Sequence, residues 1–294
     1  MPPVPGFLYE YTGSEKSQLD VDDDGSGRYP VRMDLWYRDL GGQGEPIVIL
    51  HGLFGSSQNW AGMGRRLAGE GHVFAVDLRN HGESPHAPTH SLSDCVRDVA
   101  DWADARGIAR LRLVGHSMGG LVAMGFALAY PGRTAGVASV DIAPRPYPPE
   151  HPEEFAALRT DIHACRTRAE VDAILLPLVA DLRNRQFLMT NVTREGDGFR
   201  WKPNVAVLER STVAADWASA VGTFPGEALL IACGRSSYVR AEDHAVMRKF
   251  FPRARIETLA AADHWPHVTA PRELELALRG FLGRTAINAA PPRP

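Results

Sequence analysis

The feature that most constrains this chain is an abrupt change of pattern around residue 117. Residues 110–114 are rich in leucine and valine, residues 115–119 read Gly-His-Ser-Met-Gly, and residues 121–130 are rich in alanine. This order predicts a buried strand, a tight turn and a helix, with Ser117 at the apex of the turn. The small residues two positions before and after the serine are required because a Cβ atom there would collide with the neighbouring strand or helix.

A turn of this kind places its central residue in a strained conformation and directs the Ser117 hydroxyl outward. The helix that follows begins with free backbone N–H groups, which favour a developing negative charge. The pattern predicts that Ser117 is a nucleophile. A glycine-rich connection between a strand and a helix, with no chemical role, is the alternative that the motif alone leaves open.

Predicted strands alternate with predicted helices along most of the chain. The strands are expected at 31–37, 46–50, 73–76, 110–114, 136–140, 228–233 and 255–259, and the helices at 57–69, 91–106, 121–130, 241–250 and 271–282. This alternation predicts an α/β fold with a mostly parallel sheet and helices on both faces. Chemistry in such sheets lies at the carboxyl ends of the strands, where we expect His51, Asp77, Ser117 and Asp141.

The loop after the second strand reads His-Gly-Leu-Phe-Gly-Ser at residues 51–56. Its glycines permit a sharp turn that leaves the N–H of Leu53 directed into the space above the strand ends. Together with the N–H of Met118, it would supply the two donors of an oxyanion hole. Phosphate binding is the competing role for a glycine-rich loop, but neither common phosphate-binding glycine motif is present.

A serine nucleophile requires a base to accept its proton and an acid to orient that base. His264 directly follows the last predicted strand, whereas His267 lies three residues later, so we favour His264 as the base. Aspartates at 77, 141 and 243 are the candidate acids. His81, in the polar loop 77–84, is expected to have a structural role.

These motifs, in this order, resemble the α/β-hydrolase superfamily over about residues 33–282. Four segments are similar to a subgroup of small bacterial esterases and thioesterases that is related to a mitochondrial abhydrolase-domain protein: residues 51–56, 77–82, 140–144 and 187–191. In the wider superfamily the acid commonly follows the strand after the lid, but here loop 234–239 has serines in that place. The resemblance therefore implies that Asp141 is the acid, with Asp77 structural and Asp243 on a surface helix.

Residues 145–220 interrupt the alternation and are expected to form a lid over the site. Helical segments are predicted at 155–164 and 169–182, without an evident buried strand. Phe187 and Met189 are expected either to line an acyl pocket or to pack within the lid. The substrate is also expected to contact residues beside the proposed catalytic groups, namely His51, Gly52, Phe54, His116 and Trp265.

The expected reaction is hydrolysis of a carboxylic ester or thioester through an acyl-enzyme, with no cofactor and no metal site. Hydrolysis of a C–C bond, acyl transfer to another alcohol and cofactor-free perhydrolysis use the same residues and stay open. Ser117 argues against the epoxide or haloalkane chemistry of an aspartate nucleophile. A different class is a ligand receptor on a hydrolase scaffold that barely turns over its ligand.

Composition narrows the range of partners and compartments. The net charge of the 294 residues is −3, with no basic stripe, which argues against nucleic acid and leaves a small molecule as the expected partner. Cys95, Cys165 and Cys233 are far apart and set in apolar surroundings, as is typical of reduced, buried thiols. No apolar run reaches the roughly 18 residues of a membrane span, and no signal-peptide pattern opens the chain. We therefore predict a cytoplasmic protein, whose oligomeric state the sequence does not indicate.

The predicted domain organisation is one hydrolase domain over residues 31–285, including the lid. Residues 1–30 are rich in Pro, Gly, Ser and Asp and are expected to form a flexible extension, and residues 286–294 a disordered tail. Residues 20–25 match the first half of a calcium-binding loop, but Val31 stands where the bidentate glutamate should be. An acidic turn exposed to solvent is therefore the favoured interpretation of this segment.

Overall fold

The computed structural model describes residues 32–288 and their side chains through residue 283. The predicted extension at 1–30, its acidic turn and residues 289–294 lie outside the described residues. The strands are β1 Tyr37–Asp39, β2 Pro46–Leu50, β3 His72–Val76, β4 Leu111–His116, β5 Thr134–Val140, β6 Val192–Glu195, β7 Gly198–Trp201, β8 Ala228–Cys233 and β9 Ala254–Leu259. The α-helices are α1 Ser57–Leu67, α2 Leu92–Asp104, α3 Met118–Ala129, α4 Pro152–Leu158, α5 Arg168–Leu175, α6 Leu182–Met189, α7 Val205–Leu208, α8 Asp243–Phe250, α9 Pro266–Thr269 and α10 Pro271–Asn288.

Seven of these strands form one sheet in the order β1-β3-β2-β4-β5-β8-β9. The edge strand β1 runs antiparallel to β3, and the other neighbouring pairs are parallel. Because parallel neighbours end on the same side, the carboxyl ends of β2, β4 and β5 bring His51, Ser117 and Asp141 to one edge. The predicted α/β architecture is confirmed.

The continuous apolar run of β2 follows from burial on both faces of the sheet. Ile47 and Ile49 pack in a cluster with α1 and α10, whereas Val48 and Leu50 pack in a second cluster with α2 and α3. Successive residues of a strand point to opposite faces, so a strand covered on both sides is apolar at every position.

The lid has a core of its own, and its helices are shorter than predicted. The predicted helices at 155–164 and 169–182 correspond to α4, Pro152–Leu158, and α5, Arg168–Leu175. Helix α5 ends two positions before Pro177, because proline has no backbone N–H with which to continue the helical hydrogen bonds. Apolar side chains from these helices pack with Phe54, which reaches into the lid core from loop 51–56.

A two-stranded antiparallel sheet in the lid was not predicted. Val192 of β6 pairs with Trp201 of β7, and the strands are joined by a turn in which Gly196 has a φ of 57°. A left-handed glycine followed by aspartate between two alternating runs is a recognised hairpin signal. The β6–β7 hairpin could therefore have been predicted from residues 192–201.

The prediction of a strand over 31–37 is wrong for most of its length. Leu35 N–H donates to the Met33 carbonyl at 3.1 Å, and Trp36 N–H donates to Ser84 Oγ at 2.8 Å. These bonds direct the backbone toward loop 77–84 before it pairs with β3, so the strand begins only at Tyr37. Leu35 is nevertheless buried. The apolar alternation in this segment therefore indicated a buried side chain and not pairing with a neighbouring strand.

The last helix runs further than the predicted end at residue 282. Helix α10 continues to Asn288, into the segment expected to form a tail. No proline interrupts the chain between Pro271 and Pro291, and single glycines inside a helix weaken it without ending it.

The three cysteines are buried and free of disulfide bonds, as predicted. Over residues 32–288, no helix combines the length and hydropathy that crossing a bilayer requires.

Candidate active site

Ser117 occupies a strained turn between β4 and α3. Its φ of 51° and ψ of −125° lie in a region that residues with a side chain rarely adopt. A Cβ atom on Gly115 would lie 2.2 Å from the Gly119 carbonyl oxygen, and one on Gly119 would lie 2.4 Å from that of Leu50. The predicted need for small residues on both sides of the serine is therefore confirmed by the packing.

A chain of hydrogen bonds joins Ser117 to His264 and Asp141. The Ser117 hydroxyl donates to His264 Nε2 at 3.0 Å, and His264 Nδ1–H donates to Asp141 Oδ2 at 2.8 Å. His264 lies in the loop after β9, and Asp141 directly follows β5. The three residues come from distant parts of the chain and meet at the carboxyl edge of the sheet.

The Asp141 carboxylate is held by the backbone around it. The residue has a φ of 53°, its N–H donates to the Ile231 carbonyl at 2.7 Å, and its Oδ1 accepts a hydrogen bond from Cys233 N–H at 3.0 Å. Its side chain is fully buried. Both carboxylate oxygens are therefore engaged, which orients Oδ2 toward His264.

The two other candidate aspartates make different contacts. Asp77 accepts hydrogen bonds from Ser57 N–H at 2.5 Å and Glu83 N–H at 2.9 Å, so it joins the start of α1 to its own loop. Asp243 forms an ion pair with Arg145 Nε at 2.7 Å. Arg248 and Lys249 of α8 are exposed, so the helix lies at the surface as expected, but Asp243 itself is buried, with an exposed fraction of 1%.

His267 does not take the place of His264. Its ring packs against Trp60 with 4.8 Å between the ring centroids, and its Nδ1 is buried with no hydrogen-bond partner among the described residues. Burial lowers the pKa of His267 to about 4, so its imidazole is neutral at neutral pH.

Loop 51–56 is fixed by bonds to its neighbours. His51 Nδ1–H donates to the Gly52 carbonyl at 2.8 Å, and His51 Nε2 accepts from Leu78 N–H at 3.0 Å. Burial lowers the pKa of His51, which favours this neutral form. Within residues 32–288, neither Leu53 N–H nor Met118 N–H donates to another residue, so both predicted oxyanion donors are free.

His116 contacts the loop that carries His264. Its Nε2–H donates to the His264 carbonyl oxygen at 2.7 Å. Burial and the neighbouring imidazole of His264 hold the pKa of His116 well below its usual range. A neutral His116 is therefore a hydrogen-bond donor that positions the His264 backbone.

Tyr238 was not predicted as a site residue, and it stacks on His264. The ring centroids are 4.0 Å apart and the planes are inclined by 21°. The Tyr238 hydroxyl donates to Glu150 Oε2 at 3.1 Å, which links the ring to the start of the lid. Tyr238 belongs to loop 234–239, where the sequence showed only a missing aspartate.

A cavity of about 120 Å³ opens beside Ser117. Of the residues expected to contact the substrate, six line it: His51, Gly52, Phe54, His116, Phe187 and Trp265. Met189 is not among its lining residues, because its side chain is buried in the lid core. The sequence did not indicate several others, including Trp60, His151, Glu154, Asn184 and Tyr238.

The lid contacts the His264 loop directly through α6. Arg183 forms an ion pair with Asp263, the residue before His264. Asp263 also accepts a hydrogen bond from Trp265 N–H at 2.9 Å, and Phe187 packs near Trp265 with 6.1 Å between the ring centroids. The position of the loop that carries His264 is thereby linked to the lid.

Comparison with known proteins identifies the family. The model of the alpha/beta hydrolase family matches residues 47–277, which span the loops that carry Leu53, Ser117, Asp141 and His264. This chain belongs to the alpha/beta hydrolase family. The superfamily resemblance of its motifs is therefore confirmed.

Individual relatives of this alpha/beta hydrolase are named as esterases and lipases. It is 34% identical over 252 residues to the sn-1-specific diacylglycerol lipase ABHD11 of Mus musculus, covering 80% of each chain. It is 33% identical over 240 residues to esterase YbfF of Escherichia coli, covering 81% of this chain and 92% of that protein. The solved structure of a marine microorganism esterase superposes with a TM-score of 0.80 at 31% identity, covering 85% of this chain and 99% of the other.

Proposed function

We propose that this alpha/beta hydrolase cleaves carboxylic esters and thioesters through an acyl-enzyme formed on Ser117. The observation that carries the proposal is the hydrogen-bond chain from Ser117 Oγ through His264 to Asp141, with distances of 3.0 and 2.8 Å. The esterase and lipase names of its relatives support the ester bond as the bond that is broken.

In the first half-reaction, His264 Nε2 accepts the proton of Ser117 as the serine oxygen attacks the substrate carbonyl. The carbonyl electron pair moves to its oxygen, where the N–H groups of Leu53 and Met118 donate hydrogen bonds. Asp141 stabilises the imidazolium that forms. His264 then returns the proton to the leaving oxygen or sulfur, the bond to the leaving group breaks, and the acyl group stays on Ser117.

In the second half-reaction, water replaces the leaving group. His264 accepts a proton from the water as its oxygen attacks the acyl carbonyl, and the same two N–H groups stabilise the oxyanion. His264 returns that proton to Ser117 Oγ as the acyl–serine bond breaks. One water is consumed, and the alcohol or thiol and the carboxylic acid are released.

The size of the cavity favours short acyl groups. Its volume of about 120 Å³ is close to the roughly 150 Å³ of an engineered apolar cavity that holds one benzene molecule. An acyl chain of about four carbons fits within such a volume, and the cavity is open to solvent, which leaves room for the alcohol part of the ester. We therefore expect the highest kcat/KM with butyrate esters in a series of increasing chain length.

The first prediction tests whether Ser117 and His264 act as one unit. Hydrolysis of p-nitrophenyl esters and of acyl-CoA thioesters is measured for wild type, Ser117→Ala, His264→Ala and the double variant. Each single change should lower kcat by on the order of 10⁴–10⁶, and the double variant should be scarcely slower, because neither residue functions without the other. A Ser117→Ala protein that kept a tenth of the activity would contradict the mechanism. Ester hydrolysis without release of thiol from acyl-CoA would restrict the proposal to oxygen esters.

A further inference from the structure

One side of the cavity, beneath the lid, carries a carboxylate that the proposed reaction does not use. Glu154 lies on α4, and its Oε1 accepts a hydrogen bond from Asn184 Nδ2 at 2.6 Å. The Nδ1 atom of His151 lies 3.7 Å from the same oxygen. Oε2 has no hydrogen bond to any other residue that the structure describes. One oxygen is therefore held in place by Asn184, while the other accepts no hydrogen bond from another described residue.

The charge of Glu154 is not matched by a lysine or arginine. Among the described residues that line the cavity, Glu154 supplies the sole carboxylate, and no lysine or arginine is present. Burial lowers the pKa of His51, His116 and His267, so these three lining imidazoles are neutral at neutral pH. Among the described lining residues, the imidazole of His151, 3.7 Å from Glu154, is therefore the nearest group that can offset the charge of this carboxylate.

Glu154 remains ionised although it is half-buried. Burial opposes its ionisation, but the nearby imidazole of His151 and the hydrogen bond from Asn184 outweigh that effect and lower the pKa of Glu154 to about 2. The exposed fraction of its side chain is 15%, so little water screens the charge. A fixed, poorly screened carboxylate inside a substrate cavity discriminates between ligands by their charge.

We propose that Glu154 forms a subsite that accepts a hydroxyl or ammonium group of the substrate and rejects a carboxylate. The proposal rests on the proposed ester hydrolysis, since it concerns the substrate of the same cavity. A hydroxyl or ammonium group can donate a hydrogen bond to Oε2. A carboxylate would bring a second negative charge to the same place, with no lysine or arginine among the described residues of the cavity wall to offset it.

Three butyrate esters of similar size test this subsite. Butyl butyrate carries a methyl group at the end of its alcohol, 3-hydroxypropyl butyrate carries a hydroxyl, and the butyrate ester of 3-hydroxypropanoate carries a carboxylate. In wild type, kcat/KM should be highest for the hydroxyl ester and about tenfold or more lower for the anionic ester than for butyl butyrate. Butyrate release is followed by titration at constant pH.

Variants of α4 isolate the charge of Glu154. Glu154→Gln keeps the shape of the side chain and should raise the ratio of anionic to butyl ester kcat/KM by about tenfold. Glu154→Asp keeps the charge and should keep the rejection of the anionic ester. Glu153→Gln is the matched control, because it removes the same charge from an exposed neighbour that does not line the cavity, and its ratio should equal that of wild type.

The outcomes separate this inference from the proposed function. Equal ratios in wild type, Glu154→Gln and Glu153→Gln, with p-nitrophenyl butyrate still hydrolysed, would overturn the subsite and leave ester hydrolysis standing. A wild-type protein that hydrolysed none of the esters would overturn both proposals. Thermal unfolding of each variant identifies a loss of fold, and if Glu154→Gln is lost in this way, Glu154→Ala against Glu154→Asp decides whether charge at this position controls rejection of the anionic ester.

Discussion

Asp141 receives hydrogen bonds on both oxygens in a position closed to solvent. Oδ1 accepts from the backbone of Cys233, and Oδ2 accepts from Nδ1–H of His264 at 2.8 Å. An acceptor on this side keeps the proton of a neutral imidazole on Nδ1. The opposite nitrogen, Nε2, is then free to accept the proton of Ser117, which is the tautomer that the proposed mechanism requires.

Replacing Asp141 with asparagine should remove this control of the tautomer. We expect Asp141→Asn to lower kcat by on the order of 10⁴ for p-nitrophenyl butyrate while circular dichroism shows an unchanged fold. Asp243→Asn is the comparison, because it disrupts an ion pair with Arg145 that does not touch His264. That variant should unfold more easily but retain most of its kcat. A larger loss of kcat in Asp243→Asn than in Asp141→Asn would show that Asp141 is not the acid.

Tyr238 offers a second test at the level of single residues. Its ring lies 4.0 Å from that of His264, and an aromatic face stabilises a nearby cation by about 0.5–2 kcal/mol. Tyr238→Leu should therefore lower kcat several-fold and shift the acidic limb of the pH profile of kcat/KM to lower pH. Tyr238→Phe keeps the ring and loses the hydroxyl bond to Glu150, so its profile should match wild type. Identical profiles for the leucine and phenylalanine variants would show that the stacking has no role in catalysis.

At the scale of elements, α6 places two side chains, two positions apart, in different surroundings. Phe187 lines the cavity and lies near Trp265, whereas Met189 is buried in the lid core with Phe54 and Leu188. Residues two positions apart on a helix point in different directions, since each residue turns by about 100°. One helix can therefore contact the substrate with one residue and stabilise the lid with the other.

This division predicts different phenotypes for two alanine variants. Phe187→Ala should shift the relative kcat/KM between short and medium acyl chains, by about 1–3 kcal/mol for each methylene-sized change in fit. Met189→Ala should lower the free energy of unfolding by about 2–5 kcal/mol and leave the chain-length preference unchanged. Both are measured with a series of p-nitrophenyl esters and with urea unfolding. A fixed chain-length profile in Phe187→Ala would assign Phe187 to lid packing alone.

At the scale of the whole molecule, buried histidines link stability to pH. His51, His81 and His90 form a row with ring centroids 5.0 and 5.4 Å apart. Burial lowers the pKa of His90 to about 3. The unfolded chain binds a proton at this residue below about pH 6.5, and the folded protein does not until about pH 3. Acidification through this range therefore favours the unfolded chain.

His90→Leu should make the protein less sensitive to acid. Between pH 7 and pH 5, the wild-type free energy of unfolding should fall by about 2 kcal/mol more than that of His90→Leu, because a shift of one pKa unit corresponds to about 1.4 kcal/mol. Urea unfolding at the two pH values measures the difference. His163→Gln is the control, since the exposed fraction of the His163 side chain is 68%, and it should behave as wild type does. An equal loss of stability in His90→Leu and wild type would contradict the assignment.

The sequence by itself determined the features that depend on local geometry. Glycines at 115 and 119 are dictated by contacts within one turn, and the apolar run 46–50 follows from a strand covered on both faces. The candidate nucleophile, its base and loop 51–56 could be located for the same reason. Each lies directly after a strand or in the loop that follows one, and the carboxyl ends of parallel strands share one edge.

Only the tertiary structure decided which distant residues meet. The family resemblance favoured Asp141 over Asp77 and Asp243, but a carboxylate acts on His264 only from hydrogen-bond distance, which Asp141 alone of these three has. The stacking of Tyr238, the Glu154 carboxylate beneath the lid and the burial of Met189 carry no local signature either. Their positions depend on how the lid and the loops after β8 and β9 pack together, and contacts between distant segments leave no periodic pattern in a sequence.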